Sequence, residues 1–186
     1  MRNFIVLLFV VFLSFGLSQE LIINGDFEQE LTVGWNQLVN GSGTHIIDRG
    51  LAYQPDLDYE ARAYQYDNPG WARLSQMVYA PSPLLELNFE ASFAESGGSS
   101  TCWPAACFSV CYLNADDIVL GETRYVYSTY DTWTTTPTRN LIQITNPGWV
   151  HYTLNIEDEL TQNLPGVNQG EIVKVEVALY AYTDGG

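Results

Sequence analysis

The chain has 186 residues, with 22 Asp and Glu against seven Lys and Arg for a net charge of −15, and 46% of it is hydrophobic and 13% aromatic. That is enough apolar material for one domain with a full core. It argues against a nucleic-acid partner, because affinity for a polyanion comes from Lys and Arg displacing counterions and this chain has few of either.

Met1 to Ser18 reads MRNFIVLLFVVFLSFGLS: an early Arg2, an unbroken apolar run from Phe4 to Leu13, then small residues at Gly16 and Ser18. This is the layout of a secretory leader, residues 1–18, cut between Ser18 and Gln19. The run is shorter than the ~20 residues a spanning helix needs, and no later segment is long and apolar enough to cross a bilayer. The expectation is an exported protein whose mature part, residues 19–186, is one domain with no membrane span. Without Arg2 the mature part carries six basic groups against 22 acids.

In chain order, a short strand leads into a turn at Asn24-Gly25-Asp26, Phe27 can plug a core, and Gly34-Trp35 starts the next strand. Strand signals follow at Thr44 to Ile47, Arg62 to Tyr66 and Ala72 to Tyr79, separated by Asn40-Gly-Ser-Gly and Asp67-Asn-Pro-Gly turns. The stretch from Leu85 to Phe93 alternates strictly, with Leu85, Leu87, Phe89, Ala91 and Phe93 on one face and Glu86, Asn88, Glu90 and Ser92 on the other, as a half-buried strand does. Cys107 to Leu113 and Ile118 to Tyr127 come next, then a long polar stretch from Ser128 to Asn140 that reads as a loop. Trp149 to Ile156 is a further strand, and Glu157 to Leu164 is the one hint of a helix. Period two returns in Val173, Val175, Val177, Leu179 and Ala181, with Lys174, Glu176, Ala178, Tyr180 and Tyr182 opposite. Many strands with Gly, Pro and Asn punctuation point to an all-β fold, a β-sandwich of the jelly-roll kind with antiparallel sheets.

The three cysteines, Cys102, Cys107 and Cys111, sit close together in an exported chain, where a disulfide is expected. Cys102 to Cys107 is the preferred pair because it would staple a Pro-containing loop, and Cys111 is then left over. A zinc site is disfavoured: the spacing fits no common knuckle, and His45 and His151 are far off in sequence. Asn40-Gly-Ser42 is a glycosylation acceptor where the host attaches glycans.

The run Leu-Ile-Ile-Asn-Gly-Asp-Phe-Glu from Leu21 to Glu28, followed by Gly34-Trp35, resembles the first strand of carbohydrate-binding modules of families four, nine and twenty-two. Further similarities fall in the same order at Trp71 to Val78, Leu85 to Phe93, Trp149 to Ile156 and Ile172 to Tyr182. The resemblance implies a galactose-binding-domain-like jelly roll over nearly the whole mature chain, and a polysaccharide or glycan as partner. Such modules commonly close with a further strand. This sequence stops at Gly186, so the resemblance implies either a sandwich lacking its final strand or a chain that continues.

Sugars are held by aromatic faces stacked on the pyranose ring and by planar polar groups bonded to its hydroxyls. The candidates are Trp71, which in the resembling modules borders the cleft, with Tyr112, Tyr125, Tyr127 and Trp133, and Arg73, Gln76 and Glu122 as polar partners. Trp35 and Trp149 read as core. The resemblance further implies a structural calcium at the sandwich edge. Glu28 matches one ligand, the turn at Asp48 and Arg49 matches the carbonyl-bearing turn, and Asp26 could point the same way, while the closing Asp has no match.

No G-x-S-x-G elbow, H-E-x-x-H pair, phosphate loop or dinucleotide fingerprint occurs. Among 22 acids, pairs such as Glu90 with Glu122 or Asp116 with Asp117 carry no weight as a glycosidase dyad. The reading is therefore a secreted, non-catalytic binding module. Its alternatives are a structural or adhesive module of the same fold, or the N-terminal part of a secreted hydrolase.

Overall fold

The computed structural model describes residues 20–51, 57–80, 82–95, 104–128 and 134–183; the expected leader, Cys102 and Trp133 lie outside them. Among the described residues, the chain forms β1 (Asn36–Gly41), β2 (Thr44–Gly50), β3 (Glu60–Tyr66), β4 (Gly70–Tyr79), β5 (Glu86–Ala91), β6 (Pro104–Leu113), β7 (Val119–Tyr127), β8 (Arg139–Gln143), β9 (Val150–Asn155), α1 (Ile156–Gln162) and β10 (Lys174–Thr183). Six strands make one sheet in the order β1-β4-β10-β6-β7-β8, while β2 pairs with β3 and β5 with β9.

Alternation decides how these layers meet. On the sheet, Leu74, Phe108, Val110, Tyr112, Tyr125, Val175 and Val177 share one face and are buried in a single core. Opposite them, β5 and β9 contribute Leu87, Phe89, Tyr152 and Leu154, which lie side by side because Leu87 faces Leu154 and Phe89 faces Tyr152 in the ladder. The Phe89 ring stacks on Phe108 at 4.0 Å and on Tyr152 at 5.1 Å, and meets Tyr125 edge-on at 5.2 Å. Such offset and edge contacts add to the area these rings bury. The β2–β3 pair covers the rest of the same face through Ile47 and Ala61. The architecture is a β-sandwich whose second layer is two separate pairs.

Two features differ from the sequence expectation. First, β8 pairs with β7 in parallel, with Glu122 opposite Arg139 and Val126 opposite Gln143, and it begins inside the stretch read as loop. Second, among the described residues no strand precedes Asn24. Its side-chain amide accepts from the Gln29 N–H at 2.8 Å and donates to the Gln29 carbonyl at 3.1 Å, and its own carbonyl accepts from the Trp35 indole at 3.0 Å. Asn24 sits at φ +52, a conformation Asn adopts more readily than most residues. The Ile23 backbone is satisfied by the Gln76 side chain, accepting at 2.7 Å and donating at 2.8 Å, so an amide stands in for a neighbouring strand.

The short helix is capped by Asn155, which accepts from the Asp158 N–H at 3.0 Å. Its Glu159 turns inward and accepts from Thr123 Oγ1 at 2.6 Å, Asn140 Nδ2 at 2.8 Å and Asn163 Nδ2 at 2.6 Å. Three donors let this carboxylate stay buried, and two of them tie the helix to β7 and β8.

Phe108→Ala is expected to cost about 3–5 kcal/mol in urea unfolding, because its ring is shared by both layers. Tyr79→Ala, at a side chain 74% exposed, should change stability by less than about 0.5 kcal/mol.

Candidate functional site

The other face of the six-stranded sheet carries a different set of residues. Pairing registers lay it out in rows. Trp71, Tyr182 and Ala105 are aligned across β4, β10 and β6; the next row holds Arg73, Tyr180, Cys107, Val126 and Gln143. A central row of Ser75, Ala178, Ser109 and Arg124 follows, and then Met77, Glu176, Cys111, Glu122 and Arg139. The small cluster of Ala105, Cys107, Val126 and Tyr180 on this face draws on the sheet alone.

Rings gather at one end. Trp71 and Tyr180 lie 6.0 Å apart, and Tyr180 and Tyr182 lie 6.2 Å apart with planes within 13° of parallel. All three are half-buried, which leaves ring surface open. Beyond them the small side chains of Ser75, Ala178 and Ser109 form a floor that is itself buried, 1–5% exposed, under the longer side chains around it. Arg73 reaches across that floor, donating to Ser75 Oγ at 3.2 Å and to Glu176 Oε2 at 2.6 Å. Glu122 is held between two guanidinium groups, Arg124 at 2.6 Å and Arg139 at 3.1 Å. Arg73, Arg124, Arg139 and Lys174, four of the six basic residues of the expected mature chain, occupy this face.

The structure places Trp71, Arg73 and Glu122 on this face, with Glu122 three strands and three rows from Trp71, whereas four other sequence candidates point the opposite way. Tyr112 is 0% exposed in the core with its hydroxyl 3.2 Å from Thr123 Oγ1, and burial raises its pKa. Tyr125 is also buried and its hydroxyl is pushed up to about 12, first by desolvation. Tyr127 packs against the same core, and both polar ends of Gln76 bond to Ile23. None of these four can line an open groove. Trp133 lies outside the described residues. Tyr180 and Tyr182, left off the list of candidates, take their place; the alternation along β10 had already set them opposite its core face. Trp35 is in the core as expected, while Trp149 is only half-buried.

Cys107 and Cys111 are buried free thiols, so the expected staple through Cys107 is not formed, and Cys102 is outside the described residues. Cys107 belongs to β6 rather than to a loop. Cys107 and Cys111 cannot pair with each other, because four residues of strand separate them by about 13 Å.

The residues expected to hold calcium do not fit that ion. Asp48 is gripped by Arg62 through two bonds, Nε to Oδ1 at 3.0 Å and Nη2 to Oδ2 at 2.7 Å. Asp26 accepts the Glu28 N–H within its own turn at 3.3 Å. The carbonyls of Phe27 and Glu28 accept from Arg49 Nη1 at 3.1 and 3.4 Å. Among the described residues, no group of three or more His, Cys, Asp or Glu side chains converges, whereas calcium requires six to eight oxygens.

No family model matches the sequence, and no curated protein sequence matches it either. Solved structures do share its architecture. A study of carbohydrate-binding modules from the beta-sandwich super family provides one that matches 82% of this chain and 52% of its own, with TM-score 0.50 and 12% identity. This chain is structurally similar to carbohydrate-binding β-sandwiches. The family 11 carbohydrate-binding module of the cellulosomal cellulase Lic26A-Cel5E of Clostridium thermocellum is covered to 91% and covers 89% of this chain, with TM-score 0.40 and 12% identity. The enzymatically active domain of bacteriophage CBA120 tailspike protein 4 matches 89% of this chain at TM-score 0.46 and 13% identity. Only 20% of that tailspike chain is spanned, and about half of the first module's chain. At these identities the likeness concerns the fold, and it does not single out families four, nine or twenty-two. No helix of the described residues is long and apolar enough to cross a membrane.

Burial pushes the Cys107 and Cys111 thiols up to about 12. Both should stay protonated and unlabelled by iodoacetamide in native protein at pH 8, and react once urea unfolds the chain; mass spectrometry of the labelled peptides is the check.

Proposed function

We propose that this protein is an exported, non-catalytic module that binds polysaccharide or glycan on the open face of its six-stranded sheet. The observation that carries this reading is the grouping of Trp71, Tyr180 and Tyr182 beside a polar floor braced by Arg73 and Glu176. Rings offer the apolar C–H side of a pyranose a surface to stack on, and the adjoining guanidinium and carboxylate groups offer its hydroxyls donors and acceptors. The similarity of the fold to carbohydrate-binding β-sandwiches supports it, and the leader-like N-terminus supports export.

The charged groups on the face are engaged with one another. Arg73 is bonded to Glu176, and Glu122 is shared by Arg124 and Arg139, so each carboxylate is already neutralised by a neighbour. A neutral hydroxyl can add a bond at a remaining lone pair or N–H without breaking a pair. At the Glu122 end two guanidinium groups share one carboxylate, so a uronate there would meet net positive charge, and polygalacturonate tests whether the face also takes an acidic polymer.

Calorimetry against soluble β-glucan, xylan, mannan and polygalacturonate, with cellulose pull-down, tests this reading. Binding to one of the neutral polymers is expected, with little dependence on salt because no net charge is exchanged. Trp71→Ala and Tyr180→Ala should each weaken it by about tenfold while leaving the melting temperature close to wild type. Absence of binding to every polymer would leave a structural or adhesive role as the better reading.

A further inference from the structure

The sandwich edge that the family resemblance assigns to a calcium ion already contains a cation; Asp48 and Arg49, expected in a turn, lie in β2. Arg49 leaves β2, where it pairs with Ala61 in the ladder, and its guanidinium crosses to the opening turn. Nη1 donates to the Phe27 carbonyl at 3.1 Å and to the Glu28 carbonyl at 3.4 Å, and Nη2 donates to Glu30 Oε1 at 2.8 Å. The face of the same guanidinium covers the Tyr59 ring, with its carbon 4.3 Å from the ring centroid. Two backbone carbonyls, one carboxylate and one ring thus surround a single positive group.

We propose that Arg49 is the built-in cation of this edge, and that the protein holds its opening turn against the β2–β3 pair without calcium. A planar fork of donors suits the task, because it meets two carbonyls on one side and a carboxylate on the other with directed bonds. A calcium ion needs six to eight oxygens, and the Glu28 carboxylate would have to be joined by others that are already engaged. Asp48 is engaged by Arg62, and Asp26 is engaged by its own turn. A dication placed at the Phe27 and Glu28 carbonyls would also lie against the Arg49 charge, at a separation where repulsion is strong.

The test is thermal unfolding of full-length mature protein freed of metal by a chelating resin, with calcium, magnesium or chelator added back. The expected result is no change with chelator, and no rise with calcium beyond the rise that magnesium gives by screening this acidic chain. A calcium-specific rise in Tm, or a calorimetric heat saturating at one calcium per chain, overturns the proposal. Arg49→Gln should lower Tm by several degrees and calcium should not restore it; an unchanged Tm, or rescue by calcium, also counts against it. If Arg49→Gln fails to fold, the wild-type comparison alone decides. Because the readout is metal dependence rather than glycan affinity, its failure and that of the sugar-binding reading are distinguishable.

Discussion

Everything on the open face depends on the register of β10, which is fixed on both sides by β4 and β6 over its full length. In a strand the side chains alternate, so moving β10 by one residue would send Val175, Val177 and Leu179 outward and bring Glu176 and Tyr180 into the core. Burial of the three apolar residues makes that slip costly. The same hydrophobic pressure that closes the sandwich therefore aligns Tyr182 with Trp71, Tyr180 with Arg73, and Glu176 within reach of Arg73. The candidate site is held by the core behind it rather than by contacts of its own.

Much of the architecture was readable where one face of a strand is clearly drier than the other. Leu85 to Phe93 alternates without exception and Val173 to Ala181 does so but for Ala178, and β5 and β10 fall there. Two regions escaped for different reasons. Arg139 to Gln143 follows a polar run, and only its pairing with β7 makes it a strand. Leu21 to Ile23 has the composition of a strand but meets the Gln76 amide and the Asn24 turn instead, and side-chain competition for backbone groups is not visible in a hydrophobic pattern.

The site was harder to read for a related reason. In β6 the sequence ACFSVCYL is apolar on both faces, so alternation separates Tyr112 from Cys111 without saying which one looks outward. The cysteines and Ser109 are small enough to lie under the arginine stems and Tyr180, and the larger Phe108 and Tyr112 fill the thicker core. Once that direction is known, Tyr125 goes inward with Phe108, and Glu122 and Arg124 come out. β10 carried the sign of its own faces through its valines, which is why Tyr180 and Tyr182 could have been chosen from sequence. Arg49 gave no advance notice, since its role depends on two backbone carbonyls more than twenty residues away in the chain.

The open face is also lopsided. Its rings stand together at the Trp71 end of β4, its carboxylates lie toward Glu176 and Glu122, and Arg73 and Arg124 rise from the small serine and alanine side chains between them. A chain of sugars has a reducing and a non-reducing terminus, and a surface that is greasy at one extremity and salty at the other cannot accommodate both orientations at equal energy. Any polymer laid across that face would acquire a direction.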